Sequence, residues 1–153
     1  MIQRIQTLYL LLAAVLMSLT LFLPLATIVS GADEIVVKAF SVDISSVGFD
    51  APLPIYMGVL LSVATLLPLI TIFLYKRRLA QIRLCVSEIV LLVGAAAFVA
   101  LYCYRLCDIL TDYLIFTLGF AALMPVVAII PMVLAIRAIA KDEALVRSLD
   151  RIR

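Results

Sequence analysis

Four long apolar blocks dominate the chain, and short polar segments separate them. The blocks cover about residues 7–29, 55–75, 84–104 and 113–136. At the 1.5 Å rise of an α-helix, each is long enough to cross the ~30 Å hydrocarbon core of a bilayer. The pattern predicts an all-α membrane protein whose single domain, residues 1–153, is a bundle of four transmembrane helices.

The first block has a second interpretation, as a cleaved secretory signal. Arg4 supplies a positive start, and Ser30, Gly31 and Ala32 form a small-residue segment that could be cleaved. The apolar region of a signal peptide is typically about 7–15 residues long, however. Because the first block is longer than that, we interpret it as a transmembrane helix.

The loop between the first two blocks, residues 30–54, is longer than most unstructured connections, which rarely exceed about 12–15 residues. Phe40, Val42 and Ile44 alternate with polar residues, the period of a half-buried strand. Residues 35–37 form a second β-prone run. We expect a short sheet or hairpin over the outer mouth of the bundle, although no turn dipeptide defines the pairing. The loop before the fourth block is predicted to be little more than a turn.

The segment after the fourth block, residues 137–153, predicts a helical tail with apolar residues on one side. Such a tail could extend into the cytoplasm, lie along anionic lipid or pack on a partner helix, and the sequence leaves these alternatives open. The residues of the tail that are candidates for an interaction are Lys141, Asp142, Glu143, Arg147, Asp150 and Arg151.

The positions of the basic residues predict the orientation of the spans. Basic residues close to span ends are retained on the cytoplasmic side. Ten of the twelve lie in the first segment, the second-to-third loop and the tail: Arg4, Lys76, Arg77, Arg78, Arg83, Arg137, Lys141, Arg147, Arg151 and Arg153. Both termini are therefore expected in the cytoplasm, and the chain is expected to be a multi-pass membrane protein.

The composition agrees with membrane burial and argues against an enzyme. Hydrophobic residues make up 67% of the chain and charged residues 14%, against roughly 45–50% and 25% in soluble domains. The chain has no histidine, the commonest general base and a leading metal ligand. We therefore expect no catalytic set, no cofactor and no metal, and the net charge of +2 does not predict a nucleic-acid partner.

Cys103 and Cys107 lie four residues apart near the end of the third block. On a helix their Cβ atoms would be ~5–6 Å apart, whereas a disulfide requires ~3.5–4.5 Å. Apolar packing is the preferred interpretation, and a disulfide stays open if the helix ends before them.

Glu88 is the one acidic residue inside a predicted span. An intramembrane carboxylate is a functional candidate by default, as a proton relay or an ion ligand. Arg137 on the fourth span and Arg4 on the first are expected at its level. A structural ion pair or snorkelling contact is therefore the preferred interpretation, and a transport or relay role is the alternative.

The two ends of the chain carry a resemblance to a known family. The residues concerned are Met1 to Thr7, which run into Tyr9-Leu10-Leu11-Leu12-Ala13, and the ending from Lys141 to Arg153. They resemble a domain-of-unknown-function family of small four-span membrane proteins from Gram-negative bacteria. The resemblance implies an inner-membrane location and assigns no activity and no catalytic residue. Because both segments fall on the cytoplasmic side, we expect Gln3, Arg4 and Gln6 to meet the start of the tail.

Two functions fit these observations. The leading hypothesis is a non-enzymatic accessory or scaffold subunit that uses its bundle and tail to hold a partner. That partner would be another membrane protein or a second copy of the chain, with the lipid bilayer around both. The alternative is a small transporter or channel subunit that uses Glu88.

Overall fold

The computed structural model describes residues 3–30, 33–44, 54–74, 77–109 and 114–150. The helices are α1 (Gln3–Phe22), α2 (Ile55–Phe73), α3 (Arg78–Ile109) and α4 (Phe120–Asp150). The strands are β1 (Ala26–Ser30), β2 (Asp33–Val37), β3 (Val42–Ile44) and β4 (Leu114–Leu118). All four helices are long and apolar enough to cross a membrane. The predicted fold class, four apolar helices with a small sheet, is confirmed.

Each helix buries one stripe of side chains at alternating intervals of three and four residues. This seven-residue repeat is the one that packs helices at shallow angles around a common core. The stripes are Gln6, Leu10, Ala13, Met17 and Thr20 on α1; Met57, Leu61, Ala64, Pro68 and Thr71 on α2; Gln81, Cys85, Glu88, Leu92, Ala95 and Val99 on α3; and Ala121, Pro125, Ala128, Met132, Ala135 and Ile139 on α4. The helices form a ring in which α1 and α3 each pack against α2 and α4.

The outward surface of the bundle is made of large apolar side chains. Phe22, Phe73, Val90 and Phe120 are examples, each at least 69% exposed. In water such a surface would be unstable, since soluble monomers rarely show apolar patches above a few hundred Å². Hydrocarbon is the solvent that suits it.

The sheet has the order β3-β2-β1-β4, with every neighbouring pair antiparallel. The expected short sheet is confirmed. Its pairing, which the sequence leaves open, joins residues 35–37 to the alternating run, with Ile35 opposite Ile44 and Val37 opposite Val42. Ile28, Ile35 and Val37 are buried and belong to the same core cluster as the helix stripes. The sheet is therefore packed on the bundle as part of its core.

Two predicted boundaries were wrong, each because an apolar strand was taken for part of a helix. The first span was placed at 7–29, but α1 ends at Phe22 and Ala26–Ser30 is strand β1. The fourth span was placed from 113, but Leu114–Leu118 is strand β4, which also makes the second outer loop more than a turn. Pro24 follows the end of α1 and cannot continue its ladder, and β-branched residues favour a strand in β1.

Helix α2 agrees with its predicted span to within two residues, whereas α3 and the end of α4 extend beyond theirs. Helix α3 begins at Arg78, six residues before the apolar block, because residues 78–83 are mostly strong helix formers. Helix α4 continues to Asp150, so the predicted helical tail is confirmed as far as that residue. Arg151, the last of the tail residues singled out from the sequence, lies outside the described part of the chain.

Gly119 allows the chain to turn from β4 into α4 directly against the backbone after α1. Its N–H donates to the carbonyl oxygen of Leu25 at 2.8 Å. A Cβ atom at this position would meet the carbonyl oxygen of Pro24 and would lie 2.7 Å from that of Leu25. Backbone atoms cannot move away as a flexible side chain can, so this position requires glycine.

Gly58 on α2 and Gly94 on α3 differ in how closely other atoms approach them. A Cβ atom on Gly58 would meet the ring of Phe40 and would lie 2.8 Å from the carbonyl oxygen of Ala39. The close approach is therefore made by the segment after β2 and not by a helix. A Cβ atom on Gly94 would have nothing within 4 Å, so Gly94 makes no close approach within the described structure.

We predict that Gly119→Ala destabilises the protein by about 1–3 kcal/mol, the usual range for forced overpacking. Gly94→Ala is the matched control, because it adds the same methyl group in open space and replaces a poor helix former with a good one. Unfolding in mixed micelles, followed by loss of helical circular dichroism, measures both. Equal stability of the two variants would contradict the close approach at Gly119.

Candidate functional site

One end of the bundle collects most of the basic residues of the described chain. Helices α1 and α3 begin there, and α2 and α4 end there. We call it the basic end and define it by Arg77, Arg78, Arg83, Arg137 and Lys141. The opposite end carries the four strands and is called the sheet end.

The sheet end contains an exposed ion pair between Lys38 and Asp43 on neighbouring strand segments. A hydrogen bond from Lys38, together with its charge, holds the pKa of the Asp43 carboxyl below its ordinary value. Exposed pairs of this kind contribute little to stability, so the polar contacts that organise the bundle lie elsewhere.

Two buried glutamines tie neighbouring helices together at the basic end. Gln6 Nε2 donates to the carbonyl oxygen of Ala138 at 3.2 Å, which joins α1 to α4. Gln81 Nε2 donates to the carbonyl oxygen of Thr71 at 2.9 Å, which joins α3 to the last turn of α2. The predicted meeting of the first helix with the start of the tail is confirmed for Gln6. The side chains of Gln3 and Arg4 lie outside the described residues.

Arg78 joins α3 to the beginning of the tail on α4. Its Nη2 lies 3.2 Å from Asp142 Oδ2, and its Nη1 lies 3.9 Å from Glu143 Oε2. Nη1 also donates to the carbonyl oxygen of Asp142 at 3.3 Å. The approach to Asp142 Oδ2 is a charge contact and not an aligned hydrogen bond. We call these contacts the Arg78 clamp.

The tail residues singled out from the sequence thus divide into three groups. Asp142 and Glu143 belong to the clamp, whereas Lys141 is exposed. Of Arg147 and Asp150 the structure describes the helical backbone alone.

Glu88 lies on the buried stripe of α3, with 1% of its surface exposed. It is ten residues beyond Arg78, the first residue of α3, a distance of about 15 Å along the helix. The apolar block, which begins at residue 84, had placed it only four residues from the start of the span. Neither carboxyl oxygen has a hydrogen-bond partner among the described residues.

The expected ion pair between Glu88 and Arg137 is not formed in the described structure. Arg137 is exposed, and it does not reach the buried carboxyl. The Arg78 clamp, which joins Arg78 to Asp142, explains why. Glu88 lies ten residues after Arg78 on α3, and Met132 lies ten residues before Asp142 on α4. Because the two helices are antiparallel, Met132 lies at the level of Glu88. Arg137 is five residues nearer to the basic end, about 7.5 Å by helical rise.

Glu88 is also the innermost member of a polar run on α3. Arg78, Gln81, Cys85 and Glu88 follow one another on one face from the basic end inward, and Leu92, Ala95 and Val99 continue the same face as apolar residues.

All three cysteines are free thiols, with Cys103 buried and Cys107 packed against the core. Among the described residues no cluster of His, Cys, Asp or Glu could hold a metal ion.

The comparison with protein families decides what kind of chain this is. A family model described as a domain of unknown function, DUF4293, matches residues 2–152. The chain belongs to the DUF4293 family. The DUF4293 match contains all four helices and the whole sheet, and it assigns no activity. No curated protein and no solved structure matches the chain.

Sequence reasoning found Gln6 but missed the residues that connect α3 to its neighbours in this DUF4293 chain. Gln81 and Arg78 were treated as loop or topology residues, and Thr71 as part of an apolar block. A signal was available, because Gln81 and Thr71 fall on the seven-residue stripes of α3 and α2. A glutamine on a buried stripe requires a hydrogen-bond partner, so the repeat would have identified it.

We predict that the Arg78 clamp couples α3 to α4 energetically. In a double-mutant cycle with Arg78→Ala and Asp142→Asn, the coupling free energy should be about 0.5–1.5 kcal/mol, since the pair is mostly shielded from water. Arg83→Ala is the matched control, because Arg83 is exposed on the same helix and should not couple to Asp142. A cycle that closes with no coupling for Arg78 would show that the clamp contributes nothing to stability.

Proposed function

We propose that this chain is a non-enzymatic component of a bacterial inner membrane, an accessory or scaffold subunit that binds a protein partner through its C-terminal tail. The partner is another membrane protein or a second copy of the chain. The observation that carries the proposal is the projection of α4 beyond the rest of the bundle.

The length of that projection follows from the contacts at the basic end. The hydrogen bond from Gln6 to Ala138 places the start of α1 close to the level at which α4 leaves the core. The Arg78 clamp places the start of α3 beside Asp142 and Glu143. Helix α4 continues to Asp150, so its last two turns, about 11 Å, extend past the first residues of both neighbours.

The projecting part presents apolar side chains. Leu145 is 46% exposed and Val146 is 36% exposed. Helices bind partners by laying an apolar face into a groove or against another helix. Because the clamp holds the base of the projection, the tail enters such a contact already ordered, which lowers the entropic cost of binding.

The orientation is part of the same proposal. Basic residues beside span ends are retained in the cytoplasm, and those of the basic end surround the starts of α1 and α3 and the end of α4. With four spans, both termini and the tail then face the cytoplasm. A cytoplasmic partner surface and a periplasmic sheet end follow.

Cysteine accessibility tests the orientation. In a variant lacking the three native cysteines, Lys38→Cys should react with a membrane-impermeant maleimide applied from outside. Arg77→Cys, exposed at the basic end, should react only after the membrane is opened. The reverse pattern would refute the proposed orientation.

Photocrosslinking in native membranes tests the tail. A photoreactive residue at Val146 should give a discrete protein adduct, because this position lies on the proposed binding surface. Leu66, 55% exposed in the middle of α2, is the matched control and should crosslink to lipid alone. Absence of any protein adduct from Val146, with the protein folded, would rule out tail-mediated binding.

A second candidate is a small transporter or channel subunit that uses Glu88. It is favoured by one observation, a buried carboxyl group without a hydrogen-bond partner in the described residues. Reconstituted protein would then support an ion flux that Glu88→Gln abolishes while the folded helical content stays unchanged. No flux above that of protein-free vesicles would eliminate this candidate.

A further inference from the structure

The surroundings of Glu88 can be read from the registers of the neighbouring helices. The hydrogen bond between Gln81 and Thr71 sets the register of α3 against α2. Glu88 lies seven residues after Gln81, and Ala64 lies seven residues before Thr71. Ala64 is therefore the residue of α2 at the level of Glu88. The Arg78 clamp places Met132 at the same level on α4. Both residues are fully buried, so the neighbours of the carboxyl group at its level on α2 and α4 are apolar.

The hydroxyl groups inside the spans show how polar atoms are satisfied in this bundle. Thr20, Ser62, Thr65 and Thr71 each donate to the carbonyl oxygen four residues earlier in their own helix. A carboxylate has no proton to donate and cannot use that solution. In its ionised form it needs hydrogen-bond donors or a positive charge, and Glu88 has neither among the described residues.

The charged and titratable groups around this layer do not supply a counter-charge. Cys85 lies one turn away on α3 itself, and α2 has no charged residue. Arg137 on α4 is exposed and nearer to the basic end, and Tyr9 on α1 is a half-buried phenol. The Arg4 side chain is outside the described residues.

A proton suits this site better than a metal cation does. Alkali and alkaline-earth cations take several oxygen ligands at once, whereas no cluster of metal-binding side chains occurs in the described part of the chain. A proton requires no ligand except the carboxyl group itself. A buried, unpaired acid inside a span is also the arrangement in which membrane proteins carry protons.

We propose that Glu88 is a proton-binding site in the core of the bundle. The inference sharpens the second candidate function, because it names the ion, and it does not depend on the role of the tail. It concerns equilibrium binding of a proton and is separable from flux.

A hydrophobic carbodiimide tests the proposal on the full-length protein in lipid nanodiscs. The reagent requires the protonated acid: the carboxyl proton moves to one carbodiimide nitrogen while the carboxyl oxygen bonds to the central carbon. The O-acylisourea then rearranges to a stable N-acylurea, so the whole reagent stays attached and nothing leaves. Intact mass should show one adduct per chain, and peptide mapping should place it on Glu88.

Two variants and two conditions make the result specific. Glu88→Gln should lose the adduct completely, whereas Asp108→Asn, which neutralises an exposed acid on the same helix, should retain it. Labelling should fall as the pH is raised, and replacing choline by sodium at constant ionic strength should leave it unchanged. Peptide mapping of the unsubstituted protein does not depend on whether Glu88→Gln folds.

Three outcomes overturn the proposal. Protection by sodium would assign the site to a metal cation. An adduct mapped away from Glu88, or retained in Glu88→Gln, would assign the proton to another group. Absence of labelling at every pH, while the detergent-unfolded chain reacts, would show that the folded site holds no proton. Labelling of Glu88 without any ion flux would support the proton site and remove only the transport function.

Discussion

Hydrocarbon offers no hydrogen bonds to a polypeptide backbone, and this constraint determines most of the fold. Each chain segment in the apolar region must satisfy its own N–H and C=O groups, which an α-helix does and an isolated strand does not. The four apolar blocks therefore become helices, and the strands are confined to one end of the bundle. There each strand is paired along the sheet, and β1, β2 and β3 contribute residues to the common core.

The same solvent removes the usual reason for helices to associate, because lipid chains are as apolar as leucine. The order of the bundle then depends on packing and on a few polar contacts. Packing is provided by the seven-residue stripes, which contain many alanines. The polar contacts are concentrated at the basic end, where Gln6, Gln81 and Arg78 join the helices in pairs around the ring. These contacts fix the register from which the level of Glu88 follows.

The parts of the fold that sequence predicted are those controlled by length and apolarity. Four spans and the helical tail follow from long or regular patterns, and the alternation of residues 40–44 indicates a short sheet. The pairing of β2 with β3 is not contained in the sequence pattern, because no turn dipeptide defines it. Strands β1 and β4 were missed because Thr27-Ile28-Val29 and Leu114–Leu118 are apolar and lie next to spans, where hydropathy does not separate strand from helix. Glu88 was found as an intramembrane acid. Its lack of a partner depends on helix registers that no single segment contains.

The lipid exposure of the outward helix faces is the claim on which the rest of the account depends. Spin labels placed singly along α3 in nanodiscs would measure it, by their collisions with oxygen and with a water-soluble nickel complex. At Val86, Val90 and Val93, all at least half exposed, collisions with oxygen should be more frequent than collisions with nickel. Labels at the buried Leu92 and Ala95 should be shielded from both reagents. If collisions with nickel were the more frequent at Val90, water would cover this face and the four-span account would be wrong.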